Sequence, residues 1–174
     1  MSWIQTYTGL AFDVRRPMSC DIRIEDIAHA LSNLCRFGGH CRRFYSVAEH
    51  SVHVSYLVPP EHAFAALLHD ATEAYCVDVP RPIKELLPGY REIESGIWAA
   101  IAKAYDLPLV LPECIKEADN AMLLAERDAL LDKSPAMTPA WAWAAGLTPA
   151  NRAPMCLAPH GAKEAFLARF EELL

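Results

Sequence analysis

A histidine followed directly by an aspartate, His69-Asp70, closes the run AFAALLHDATEAY, whose alanines and leucines otherwise read as a buried helix. Burying an ionisable pair in such a helix costs several kcal/mol unless something compensates it. A divalent metal is the economical compensation, and it obliges other segments to bring ligands to the same place. His50, in SVAEHSVHVSYLV, and Asp119, in IKEADNAMLLAERDALL, lie in two further apolar segments. Two imidazoles and two carboxylates suit Zn, Fe, Mn, Co or Ni. Taken singly, each residue also has an ordinary reading as a core histidine, a helix-end acid or a solvated helix acid.

The rest of the chain reads as helices punctuated by proline and glycine. Apolar positions at 24, 27, 28, 31 and 34 have helical spacing. Gly38-Gly39 marks a loop. Ser46, with Glu49 three residues on, has the capping-box pattern for a helix that runs to about Val58 and stops at Pro59-Pro60. A third helix is expected over about Glu61 to Tyr75, and Pro80 and Pro82 bracket a short one. Residues Tyr90 to Tyr105 place Ile93, Ile97, Ala100, Ile101 and Ala104 on one side. Pro112 suits the first turn of a long helix ending near Leu131. Residues 134–159 carry five prolines and read as a wrapping loop with a short helical piece, where Trp141 and Trp143 bury against a last helix over Gly161 to Leu173 or form a lid or subunit contact. The fold class is all-α, in one domain over residues 1–174.

Composition removes several classes of function. An apolar fraction of 53% argues against disorder, and a net charge of -6 argues against a nucleic-acid polymer as partner. The start, MSWIQTYTG, lacks a basic region and a long apolar core, so no signal peptide is expected. No apolar run reaches membrane-spanning length. Six cysteines without a C-x-x-C pair fit a cytoplasmic protein with reduced, packed thiols. Gly38-Gly39 lacks the P-loop pattern, and no paired-glycine dinucleotide motif follows a strand.

The order H…HD…D resembles the HD-domain metal-dependent phosphohydrolases. SVAEHS around His50, ALLHDATEAY around His69, DVPRPIK at 78–84 and IKEADNAMLLAE around Asp119 resemble the small 5'-deoxynucleotidase-like branch. CRFGGH at 35–40 resembles the Arg-aromatic element that precedes the first metal histidine there. The resemblance covers about residues 24–131. It implies a compact HD-domain helical bundle and a homodimer. It also implies that His50, His69, Asp70 and Asp119 hold one divalent metal per subunit, whether Co, Mn, Zn, Mg, Fe or Ni.

Glu73 lies four residues after His69 and three after Asp70, on the same side of the expected helix. Both that spacing and the resemblance make it a carboxylate that orients water or shuttles a proton. The resemblance brings in Asp78 as a second polar group, either assisting water activation or holding a sugar hydroxyl. Arg36, Arg42 and Arg43 form an acid-free basic stretch with His40 between them, and guanidinium is suited to phosphate. The Arg-aromatic match falls on Arg36-Phe37. Phe37 packs a base or sugar or the core; His40 binds phosphate, orients a ligand or caps the Gly38-Gly39 turn. The resemblance suggests a phosphate contact for Lys84.

The expected activity is that of a metal-dependent 5'-deoxynucleotidase, an enzyme releasing phosphate from deoxynucleoside 5'-monophosphates. A deoxynucleoside triphosphate triphosphohydrolase is the nearest alternative, with Arg42, Arg43 and Lys84 as extra cationic contacts. A cyclic phosphodiesterase and a non-catalytic, metal-stabilised binding or regulatory module complete the set.

Overall fold

The computed structural model describes residues 2–134 and 141–174. The part of the expected wrapping loop at 135–140 lies outside the described residues. The chain opens with a two-stranded antiparallel hairpin, β1 (Trp3–Gln5) and β2 (Ala11–Asp13). The remainder is helical: α1 (Ile24–Asn33), α2 (Val47–Ser55), α3 (Ala63–Leu67), α4 (Glu73–Cys76), α5 (Arg81–Lys84), α6 (Tyr90–Tyr105), α7 (Glu113–Leu130) and α8 (Pro159–Glu172). Among the described residues no helix is long and apolar enough to cross a membrane.

All nine residues of α2 are buried, including His50. α8 packs across α1 and α2, and α3 and α7 flank α2 as well. Ile27, Leu31, Val47, Leu67, Leu68, Ile97, Ile101 and Phe166 form the main core with Phe12 from the hairpin. A second cluster joins Val54, Ala65 and Ala66 to Ile115, Ala118 and Met122 of α7. Full burial of such side chains contributes about 1.5–3 kcal/mol each. That fixes the spacing of α2 and α7, which bear His50 and Asp119, and of α3, which leads into His69-Asp70. Asp26 ties the hairpin to α1 by accepting hydrogen bonds from the Thr8 amide (2.6 Å) and hydroxyl (2.9 Å).

Several expectations from the sequence need correction. Ser46 does cap α2, its hydroxyl accepting the Glu49 amide at 3.1 Å, and the helix ends at Ser55 rather than Val58. The reciprocal half of the capping box is missing. Buried Glu49 instead accepts the amides of Met155, Cys156 and Leu157 at 2.6, 3.0 and 2.7 Å. On α6, Ile97, Ala100 and Ile101 are buried but Ile93 is exposed. The first turn of that helix is held by the Tyr90 hydroxyl donating to the Val77 carbonyl at 2.9 Å. Trp141 and Trp143 do not bury against α8. Trp141 lies by the Arg127 guanidinium and half-exposed Trp143 by that of Arg81, at 5.1 and 5.6 Å.

The largest correction concerns 61–75, which is not one helix. A turn of tight helix at Pro60–His62 leads into α3, the backbone then turns through 68–72, and α4 follows. In a continuous α-helix the Ala66 carbonyl would take the Asp70 amide. Here it takes the His69 imidazole Nδ1 at 2.8 Å and the His69 amide at 3.5 Å. Ala71, Glu73 and Ala74 donate to carbonyls three residues back, the tighter 3₁₀ spacing. The His69-Asp70 pair therefore sits in a turn between two short helices.

Candidate metal and phosphate site

His50 from the middle of α2, His69 from the 68–72 turn and Asp119 from α7 come together, with one ligand atom of each within 4.8 Å of the others. Asp70 reaches the same place: its Oδ2 is 3.2 Å from His69 Nε2 and 3.7 Å from His50 Nε2. Asp119 Oδ1 is 3.3 Å from His50 Nε2.

The tautomers follow from the partners on the far side of each ring. Ala66 O can only accept, so His69 Nδ1 donates to it and Nε2 presents its lone pair. His50 Nδ1 is 2.6 Å from a carboxylate oxygen of Glu126, so it too donates away from the cluster. His50 Nε2 and His69 Nε2 are both buried without a hydrogen-bond partner among the described residues. Two orphaned imidazole nitrogens facing two carboxylates fit a divalent cation. The pair of histidines is thus oriented by outer partners, as is usual for metal-bound imidazole.

Glu126 is the site residue that the reading of the sequence missed. It is fully buried and accepts from His50 Nδ1, from the Tyr45 hydroxyl at 2.8 Å and from Arg36 Nε at 3.1 Å. Its signal was available: Asp119 and Glu126 are seven residues apart, hence on one side of α7, with buried Met122 between them. Burial works against its charge, but Arg36 and then His50 hold its carboxyl below the ordinary range.

Arg36 is buried against this carboxylate and extends Nη1 to within 3.7 Å of Asp70. Burial opposes its charge, yet Glu126, Asp70, Asp119 and Asp78 together raise its pKa. Its guanidinium lies 5.6 Å from the ring of half-buried Phe37. His40 is exposed, and no contact among the described residues draws its imidazole to the cluster. Arg42 turns to Asp132 and Arg43 to the Met155 carbonyl, each at 3.4 Å and each on the surface.

The acids on the 69–78 side are arranged differently. Glu73 opens α4 and is buried, with Oε2 lacking a hydrogen-bond partner among the described residues. Burial, and then the charges of Asp70 and Asp78, push its pKa well up. Asp78 is also raised, by burial first; Arg36 opposes the shift and Asp70 adds to it. Asp70 is held low: burial opposes its charge, but His69 and His50 outweigh that. Lys84 Nζ is 2.8 Å from Glu94 and 3.9 Å from Glu73, so its charge is shared between two carboxylates. Glu73 does not share an unbroken helix with His69 and Asp70; its place beside Asp70 arises from the tight 68–72 turn.

Two backbone positions near the site are strained. Phe37, next to Arg36, has φ 57°, and Val77, next to Asp78, has φ 62° and ψ 159°. Such conformations cost about 1–3 kcal/mol each and are rarest for β-branched residues. A cleft of about 560 Å³ adjoins the site, lined in part by His69, Asp70, Thr72, Glu94 and Trp98. That is the scale of a small-molecule pocket.

No protein-family profile matches the chain. It is 53% identical over 127 residues to YfdR, an uncharacterized protein of Escherichia coli; the match covers 73% of the chain and 71% of YfdR. It is 38% identical over 130 residues to an uncharacterized protein of Rhodobacter capsulatus, covering 69% of the chain and 66% of that protein.

Proposed function

The chain belongs to the same family as YfdR of Escherichia coli, and we propose that it is a metal-dependent phosphohydrolase of the HD-domain type. The substrate in this reading is a deoxynucleoside 5'-monophosphate, and the products are the deoxynucleoside and phosphate. One observation carries it: His50, His69, Asp70 and Asp119 converge with buried Arg36 alongside, 3.7 Å from Asp70.

A divalent metal held by those four side chains would supply an acidified water and offset charge on phosphoryl oxygens. The remaining work falls to the protein's own groups. Arg36, fixed at Nε by Glu126, directs Nη1 toward Asp70 at 3.7 Å, where it would orient a phosphate oxygen bound at the cluster. Glu73 takes or returns a proton at Oε2, which has no hydrogen-bond partner among the described residues. Asp78, on the strained turn after Val77, assists water activation or holds a sugar hydroxyl. Lys84 adds positive charge beside Glu73. Phe37 and the 560 Å³ cleft offer apolar surface for the nucleoside. The same reading carries a cytoplasmic setting and a homodimer.

The cationic side chains favour a monophosphate over a triphosphate. Arg42 and Arg43 are occupied at the surface, and Lys84 is balanced by Glu94 and Glu73. A longer phosphate chain would lack the extra contacts it needs. The test is a turnover screen of deoxy- and ribonucleoside mono- and triphosphates with Mn, Co, Mg and Zn, resolving every phosphorus product. Orthophosphate from deoxynucleoside monophosphates is expected. Inorganic triphosphate would replace this reading with the triphosphohydrolase, and bound metal without turnover would replace it with a binding module.

A further inference from the structure

The loop that carries Arg36 is closed at its base by two thiols. Cys35 Sγ and Cys41 Sγ are 3.4 Å apart, and both residues are half-buried. Both stems are anchored. Cys35 pairs with Ser46 as an isolated antiparallel bridge, and the next amide, that of Arg36, donates to the Tyr45 carbonyl at 2.9 Å. On the other stem the Arg42 amide donates to the Leu130 carbonyl at 2.9 Å. The Cys41 thiol also points to the carbonyl of Arg36 at 3.8 Å.

We propose that Cys35 and Cys41 are a redox-responsive pair whose disulfide clamps the Arg36 loop. Bond formation brings the sulfurs from 3.4 Å to about 2.0 Å. With both stems held, the displacement falls on the segment between them. That segment contains the left-handed run Phe37, Gly38 and Gly39, directly after Arg36. A side chain added at Gly38 would meet His40 at 3.8 Å and Pro80 at 3.9 Å, so the turn has close neighbours on that side. The clamp thus acts on the turn that aims the guanidinium, not on the metal-ligating histidines.

The oxidant is a peroxide. Cys35 sulfur attacks hydrogen peroxide; the O–O bond breaks, leaving a sulfenic acid on Cys35 and one water. Cys41 sulfur then attacks that sulfur. The S–S bond forms, the S–O bond breaks, and the departing hydroxide takes the Cys41 proton to leave as a second water. Two thiols lose two electrons in all and the peroxide gains them. The step balances equally with the two sulfurs exchanged; burial and then the hydrogen bond to Cys35 push the Cys41 thiol up.

The effect on phosphate rests on the role proposed for Arg36; the thiol pair and the clamp do not. Trypsin cuts after Arg36 and Arg42, so the disulfide links peptide 24–36 to peptide 37–42. Peroxide titration of the full chain should yield that linked pair, reversibly with dithiothreitol. Hydrogen exchange over 36–41 should slow in the oxidised protein. Affinity for inorganic phosphate should fall roughly tenfold, within the ~10²-fold that a misplacement of about 1 Å can cost. Cys41→Ser and Cys35→Ser should abolish all three responses. No linked peptides at peroxide levels that oxidise exposed Cys20 would overturn the pair. Linked peptides with unchanged exchange would overturn the clamp. Phosphate binding absent even from the reduced protein would count against the Arg36 reading, while the first two measurements still decide this one.

Discussion

The site has two halves built on opposite principles. On the α2–α7 side, His50, Arg36 and Tyr45 all bond to one buried carboxylate, Glu126, and every partner is satisfied on its outer face. On the 69–78 side, Glu73 is buried with an oxygen that has no hydrogen-bond partner among the described residues, and burial and the charge of Asp70 press on Asp78. The first half is a scaffold that sets positions. The second stores unfavourable free energy, as expected where protons or ligands are exchanged. Substitutions should therefore split cleanly: loss of structure or metal on one side, loss of turnover on the other.

The largest effect expected is on turnover. Glu73→Gln removes the proposed proton carrier and should lower kcat by about 10²–10⁴-fold with metal content unchanged. Because it also removes a crowded buried acid, its thermal midpoint should not fall. Metal analysis and kcat on one preparation decide this, and a normal kcat would sink the division. Next in size, Glu126→Ala leaves Arg36 and His50 buried without their partner. Breaking a buried pair of this kind costs about 3–5 kcal/mol, readable as the loss in urea unfolding free energy. An unchanged unfolding curve would mean that Glu126 is no scaffold. The milder Glu126→Gln should keep the fold but weaken metal affinity by about 10–100-fold, the usual effect of losing a partner behind a metal-bound histidine.

A pH series sharpens the same contrast. Burial and Arg36 disfavour the His50 cation, but Glu126 and Asp119 outweigh them and raise its pKa to about 9. A histidine raised on folding adds stability that is complete below its unfolded value, near 6.5, and is lost as pH climbs to about 9. Glu73, a raised acid, has the same sign: its contribution is present at low pH and disappears as it ionises. Metal-depleted protein should accordingly lose stability over about 6.5 to 9, while loaded protein, with His50 already deprotonated, should lose less. Parallel denaturation series test this, and coincident pH profiles would refute it. The smallest effect is expected from Arg42→Ala, which breaks only an exposed pair with Asp132. It should change stability by less than about 1 kcal/mol and leave turnover of monophosphates intact.

Much of the scaffold was legible in the sequence because periodicity reports burial. The helices over 24–33, 90–105 and 113–130 follow apolar spacing, and the ionisable residues that interrupt apolar runs are those that converge. Two things were not legible. The alanine-leucine run at 63–68 has no feature that stops a helix; the break comes from the His69 ring taking the Ala66 carbonyl, a tertiary choice that local propensity does not encode. The left-handed turn at Val77 contradicts the preference of a β-branched residue, so no reading of propensities would place it. Glu126 lay between these cases, on the right side of its helix but unremarkable among other acids.

Glu49 carries a consequence for modularity. It neighbours His50 in the chain, and its carboxylate closes on the amides of 155–157, more than a hundred residues away. The helix that supplies a ligand is thus fastened from its other face by the C-terminal stretch. Residues 24–131 contain every group of the proposed reaction yet do not make a transplantable cassette. Cut free, they would strip the buried Glu49 carboxylate, one residue from His50, of its three amides and leave it the His53 ring at 3.5 Å. Any minimal version of this chain, natural or engineered, has to keep the 155–157 strap or replace Glu49 with an uncharged residue.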